Sequence, residues 1–203
     1  MSVRTAAALA LVLVTGCSDG GGGDAPVDAL VDALVRCPLG DPAAAPEMEI
    51  VHLDADLTVV ETMPDAEVPL IVPPQGGWIL MLGVRATNID GCQLNLTTSF
   101  RDVDDPAIIK LDQRPAKLEP TSDGWGISTP STVGNLPICP QVTALRDLYD
   151  QPYVVTVAIE DIDGKRASRD LTIIPTCPAG DPRCTCECDR DYVLGGPCPP
   201  AAR

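Results

Sequence analysis

The sequence predicts an all-β fold: an antiparallel sandwich followed by a disulfide-rich C-terminal tail. Three observations lead there. Several short runs alternate apolar and polar residues, the period of a half-buried strand. Asp-Gly steps separate pairs of such runs, and Gly readily takes the positive φ that a tight hairpin needs. Frequent Pro and Gly break helices between the runs, and no strand–helix–strand alternation is visible. Between Cys37 and Cys177 there is enough chain for one domain with a real core and too little for two.

In chain order, short strands are expected over 47–53, 57–61, 68–72 and 108–111. A longer apolar run, Trp78-Ile79-Leu80-Met81-Leu82-Gly83-Val84, continues to Thr87. "CQLNLTTSF" follows, with Cys92, Leu94, Leu96, Thr98 and Phe100 alternating against polar neighbours; "NIDG" (88–91) lies between the two as a hairpin turn. The clearest hairpin comes late. Tyr153, Val155, Val157 and Ile159 alternate on one strand and Leu171 and Ile173 on the next, around "DIDGKR" (161–166). The stretch "QVTALRDLYD" (141–150) is the one good short helix candidate. His52, the single histidine, falls in an expected edge strand.

The last hairpin resembles the closing two strands of many bacterial immunoglobulin-like modules, which implies an immunoglobulin-like sandwich. The Cys…Trp…Cys order of antibody domains is absent in that form, because Trp78 precedes Cys92. The chain also resembles uncharacterised lipoproteins of GC-rich Gram-negative bacteria through its "PPQGG" strand entry (73–77) and "DGWG" turn (123–126).

The N-terminus speaks to compartment. Arg4 provides a short positive n-region, and "AAALALVLV" (6–14) has the length of a signal-peptide h-region. It is too short for a permanent membrane helix, which needs ~20 apolar residues. The run ends in "LVTGC" (13–17), which resembles a bacterial lipobox. That resemblance implies cleavage after Gly16 and lipidation of Cys17, with diacylglycerol on sulfur and a fatty acyl group such as palmitate on the new amine. Two or more acyl chains make membrane attachment stable where one does not. Residue Ser18 is not the Asp that retains enteric lipoproteins in the inner membrane, so an outer-membrane location is expected, on either its periplasmic or its surface face. The expected organisation is a signal peptide (1–16), a lipidated Cys17 with a flexible tether (17–36), the sandwich (37–177) and a Cys/Pro-rich tail (178–203).

Directly after Cys17, "SDGGGGDAP" reads as a flexible linker. In the next segment Val27, Leu30, Val31 and Leu34 show helical spacing. Asp28 and Asp32 repel at i,i+4 and the segment is short for an isolated helix, so a partly ordered stalk is expected.

Export shapes the reading of the cysteines. Of nine, Cys17 is assigned to lipid, which leaves Cys37, Cys92, Cys139, Cys177, Cys184, Cys186, Cys188 and Cys198, an even set in an oxidising compartment. All eight are disulfide candidates. "CPLGDP" (37–42) recurs as "CPAGDP" (177–182), so these segments read as matching entry and exit turns. A Cys37–Cys177 bond across them, with Cys92–Cys139 inside it, is the attractive pairing, although sequence does not choose among connectivities. In "RCTCECDRD" (183–191) an extended strand would point Cys184, Cys186 and Cys188 the same way.

Catalytic signals are thin. The lone His52 is expected as a packed or surface residue, no Ser sits in a G-x-S-x-G elbow, and no Cys–His pair is evident. Cofactors are not expected. Acids are plentiful, and Ca²⁺, which takes six to eight oxygens, is the better use for them. Asp161 and Asp163 with Asp102, Asp104 and Asp105 are the calcium candidates, on a "DIDG" motif short of EF-hand spacing; a solvated turn is the plainer reading. The formal charge of −15 becomes −16 once Arg4 leaves with residues 1–16, which disfavours nucleic acid as a partner. The expected function is a lipid-anchored cell-envelope module for binding or structure, not an enzyme, attached to membrane through its lipid and meeting a protein or glycan. A carboxylate hydrolase and a metal-binding lipoprotein are the alternatives, the first needing two acids gathered in a cleft.

Overall fold

The computed structural model describes residues 35–199. The segments expected as signal peptide and lipidated Cys17, the expected tether up to residue 34 and the last four residues lie outside the described residues.

Two sheets face each other. One contains β2 (Glu47–Leu53), β3 (Val59–Glu61), β5 (Trp78–Thr87), β9 (Glu119–Pro120), β10 (Gly126–Ile127) and β11 (Gly134–Cys139), in the order β3-β2-β5-β10-β9 with β11 also on β5. The other contains β4 (Ala66–Pro69), β7 (Leu94–Asp102), β8 (Ile108–Ala116), β12 (Tyr153–Asp161) and β13 (Arg166–Thr176), in the order β4-β13-β12-β7-β8. A small pair, β1 (Pro38–Leu39) and β6 (Ile89–Asp90), closes one end. Pairing is antiparallel throughout except for β4, which runs parallel to β13. The fold is an antiparallel immunoglobulin-like sandwich, in which the N-terminal strands divide between the sheets.

Alternation explains the core. Leu96, Phe100, Val155, Val157 and Ile173 leave one sheet and meet Ile50, Leu80, Leu82 and Val84 from the other, all buried. Strand β5 is buried on almost every residue. At Gly83 the reason is close approach: an added Cβ would stand 2.7–2.8 Å from Ser128 and Val133 side-chain atoms. The Ser128 hydroxyl accepts the Val84 N–H there at 3.0 Å. Tyr153 opens β12, stacks on Phe100 with ring centroids 4.5 Å apart, and donates its hydroxyl to the Asp147 carbonyl at 2.7 Å. This is the tyrosine corner that immunoglobulin-like sandwiches use to fix the entry of this strand.

The 161–166 hairpin forms as expected, with β12 and β13 in register from Tyr153↔Ile173 to Glu160↔Arg166. Three local expectations are corrected. First, 88–91 is not a hairpin turn: β5 and β7 belong to different sheets and this segment carries the chain between them. Asn88 turns the corner at φ 61°, accepts the Asp41 N–H and donates to the Ala45 carbonyl. Both flanking runs are apolar because they face each other across the core. Second, 141–150 is not helical. Its amides go to other elements, Leu148 N–H to the Cys188 carbonyl and Asp150 N–H to the Pro175 carbonyl, each within 2.9 Å. Third, β2 is not an edge strand, since His52 pairs with Val60 on one side and Leu82 on the other.

The tail differs most. "PRCTCEC" forms α1 (Pro182–Cys188), not an extended strand. Asp181 caps it by accepting the Arg183 and Cys184 amides, and Pro182 occupies the first turn, where its missing N–H costs nothing. Helical spacing turns Cys184 and Cys188 into the core together, both fully buried, while Cys186 points elsewhere.

Candidate functional site

All eight cysteines in the described region form disulfides: Cys37–Cys92, Cys139–Cys188, Cys177–Cys184 and Cys186–Cys198. The expected Cys37–Cys177 and Cys92–Cys139 pairings are therefore overturned. The reason is distance along the strands. Cys37 and Cys92 lie at the hairpin end, their amides donating to Asp90, whereas Cys177 follows Thr176 at the far end of β13. Cys139 lies beside Trp78, at the opposite end of β5 from Cys92. The Cys37–Cys92 bond brackets Trp78 in sequence, so a Cys…Trp…Cys order does exist, but this bond staples the chain entry to the corner before β7.

Around the hairpin end, charged groups meet at a cleft of about 320 Å³ lined by Arg36, Asp90, Asp161, Asp163 and Lys165 among others. Asp161 is buried, accepting the Asp163 and Lys165 amides on one oxygen (both 2.9 Å) and the Asp90 amide on the other (3.1 Å). Buried Asp90 accepts the Cys92 amide at 3.0 Å and lies 3.7 Å from the Arg36 guanidinium. Arg36 also donates to Asp163 at 2.5 Å, and that bond holds the Asp163 carboxyl below the usual carboxylate range. Lys165 donates to the Asn88 carbonyl at 3.2 Å. These acids hold a turn together; each already has a backbone or guanidinium donor.

The calcium candidates do not converge. Asp102 stands opposite Tyr153 at one end of the β7–β12 ladder, and Asp161 stands opposite Leu94 at the other. Asp102 is tied to Arg146, Nε to Oδ2 at 2.7 Å, and accepts the Asp104 amide. Neighbouring Asp105 lines a cleft of about 310 Å³ with Ile108, Ile109 and Leu145. Among the described residues, the one group of three potential ligand atoms drawn within 4.8 Å of one another is Cys177, Cys184 and Cys188, and these sulfurs are in disulfides.

His52 shares the core-facing side of its sheet with Ile50 and its cross-strand partner Leu82. Its Nδ1 is 2.9 Å from the Thr62 hydroxyl, and burial pushes the imidazole pKa down. Its hydrogen-bond partner is a hydroxyl, and the Asp54 carboxylate opposes the shift in part.

Two features went unread in the sequence. One is Glu187, a buried carboxylate that accepts the Trp78 indole N–H at 2.9 Å and the Arg183 guanidinium at 2.7 Å. Its i,i+4 spacing from Arg183 was the available signal. The other is a groove of about 300 Å³ on the outer face of the five-stranded sheet. Asn95, Thr97, Gln113 and Ser168 line it beside Ala158. Register alone places Gln113, Thr97, Ala158 and Ser168 in one row across four strands.

No protein-family model and no curated protein matches this chain. The fold and its staples define it as a disulfide-stapled, immunoglobulin-like β-sandwich.

Proposed function

We propose that this protein is a lipid-anchored module of the bacterial cell envelope that binds a protein or glycan partner or serves as a structural element. Cysteine usage carries the reading. Four disulfides take the eight cysteines from Cys37 to Cys198, and the ninth is Cys17, in the "LVTGC" lipobox-like motif. Disulfides on this scale belong to an oxidising compartment. A lipid on Cys17 would attach the chain to membrane, and the glycine-rich segment would hold the sandwich clear of the lipid surface.

Support for a binding role comes from the outer face of the five-stranded sheet. There the amides of Asn95 and Gln113 and the hydroxyls of Thr97 and Ser168 offer donors and acceptors over the small Ala158 side chain. Such a surface matches the hydroxyls of a glycan or the backbone of an extended peptide. A module is favoured over a hydrolase because Asp90, Asp161 and Glu187, the buried acids, already accept structural hydrogen bonds.

Growing cells on an alkyne fatty acid and comparing wild type with Cys17→Ser tests the anchor. Label should appear on the wild type and vanish in the variant. Equal labelling of both removes Cys17 as the lipidation site.

A further inference from the structure

Two disulfides meet end to end where α1 joins the sandwich. Cys177–Cys184 ties the chain after β13 to α1, and Cys139–Cys188 ties the end of β11 to α1. Cys184 Sγ lies 4.0 Å from Cys188 Sγ, and the sulfurs of Cys177, Cys184 and Cys188 all lie within 4.8 Å of one another, so the two disulfides are in contact at this corner. Cys184 and Cys188 are fully buried. Cys177 is only partly covered and lines an open cleft of about 530 Å³ with Asp150, Pro178, Gly180, Asp181 and Thr185.

We propose that Cys177 is an acceptor site for a small neutral or cationic thiol, and that thiolation there passes through Cys184 into the Cys139–Cys188 bond. The inference goes beyond the anchored-module reading and does not depend on it. Access decides which sulfur is attacked: of the four, Cys177 is the one that faces the cleft. The carboxylates of Asp150 and Asp181 at the rim oppose anionic thiols, hence the class of reagent.

The chemistry balances without an external oxidant. In the first step the incoming thiolate attacks Cys177 Sγ. A mixed disulfide forms on Cys177, the Cys177–Cys184 bond breaks, and its electron pair leaves on Cys184 as a thiolate. In the second step the Cys184 thiolate attacks Cys188 Sγ. A Cys184–Cys188 bond forms, the Cys188–Cys139 bond breaks, and Cys139 leaves as a thiolate that takes a proton from water. One thiol enters and one thiol emerges; two disulfides remain.

The Cα separation of an i,i+4 pair, about 6 Å, is inside the disulfide range, but its Cβ atoms at about 5–6 Å must close to about 3.5–4.5 Å. Forming the Cys184–Cys188 bond therefore opens the last turn of α1, which ends at Cys188. The consequence exceeds one modification. Both covalent ties between α1 and the sandwich are exchanged for one inside α1. The helix is then held by the Trp78–Glu187 bond, the Leu148 N–H to Cys188 carbonyl bond and local packing. A single small thiol would thereby remove both covalent ties of the tail helix to the sandwich.

The test treats the full-length mature protein with cysteamine, quenches in acid, alkylates free thiols and maps disulfides by mass spectrometry. The expected products are cysteamine on Cys177, a Cys184–Cys188 bond and an alkylated Cys139. Alkylated Cys184 together with an intact Cys139–Cys188 bond would overturn the relay, and an intact Cys177–Cys184 bond under conditions that open Cys139–Cys188 would overturn the acceptor site. Repeating the experiment on Cys186→Ser/Cys198→Ser removes the other tail disulfide as a competitor. Should that variant not fold, the wild-type map still decides, because the diagnostic bonds involve different cysteines.

Discussion

Trp78 and Glu187 are 109 residues apart in the chain, yet the indole N–H donates to the carboxylate at 2.9 Å inside the protein. The pair joins the first residue of the central strand to the helix of the tail. It makes what reads as a loose C-terminal segment into a wall of the core, alongside buried Cys184 and Cys188. Arg183, donating at 2.7 Å, gives the same carboxyl group a second, cationic partner.

Glu187→Ala is therefore expected to cost roughly 1–3 kcal/mol, the penalty for leaving a buried donor without a partner. Glu187→Gln keeps an acceptor for the indole and should cost less. Urea denaturation followed by tryptophan fluorescence measures both; an Ala variant as stable as wild type would show that the pair holds nothing.

Tyr153 anchors the start of β12. Its hydroxyl donates to the Asp147 carbonyl and its ring stacks on Phe100. Tyr153→Phe retains the stack and loses the hydrogen bond, for an expected cost of about 1 kcal/mol, whereas Phe100→Ala opens a cavity worth about 3–5 kcal/mol. Burial pushes the phenol up to about 12 from its ordinary value of 10.0. The unfolded chain thus ionises first as pH rises, so stability should fall between pH 10 and about 12. That alkaline decline should be shallower in Tyr153→Phe.

Alternation made strands such as β7 and β12 legible because each buries one face. Strand β5 was legible as a continuous apolar run because it is buried on almost every residue, and the 161–166 hairpin was legible because its Asp-Gly turn is local. What was not legible depended on partners far away in sequence. The 88–91 segment has hairpin residues, yet Asn88 finds its partners at Asp41 and Ala45. The 141–150 segment has helical spacing, yet its amides bond to Cys188 and Pro175. In the tail a local signal was present: Asp181-Pro182 is a helix start, and a helical spacing for Cys184 and Cys188 follows from it. Disulfide pairing needed the strand ends to be placed first. The acids were visible as residues, but only register shows that Asp102 and Asp161 stand at opposite ends of β7 and β12.

His52 offers a pH-dependent readout of the core. Burial lowers its pKa from 6.5, with the Asp54 carboxylate opposing that in part, and its ring bonds to Thr62 on the sheet face it shares with Ile50 and Leu82. A depressed histidine pKa means that below pH 6.5 the unfolded chain binds the proton more readily than the folded one. Stability should therefore be undiminished above that pH and decline as pH falls through it. Carboxylates such as Asp163 and Asp123, held below 3.8, add their own loss only at lower pH. The urea midpoint of His52→Gln should be flatter between pH 7 and 5 than that of the wild type; parallel profiles would mean that His52 does not titrate on unfolding.

Calcium supplies the last expectation. Asp102 and Asp161 are eight residues of ladder apart, roughly 27 Å at strand rise, so Asp104 and Asp163 cannot join them around one ion. At the hairpin end, Asp90 and Asp161 spend their oxygens on backbone amides, and Asp163 is held by Arg36. Recruiting them would mean opening the turn and displacing a guanidinium. Ca²⁺ gathers six or more oxygens at 2.3–2.6 Å, and this end provides no such shell without that rearrangement. Titration calorimetry at millimolar calcium should accordingly record only dilution heat, and the melting temperature should not move. A saturable heat lost in Asp161→Asn or Asp163→Asn would show instead that the hairpin opens to take the ion.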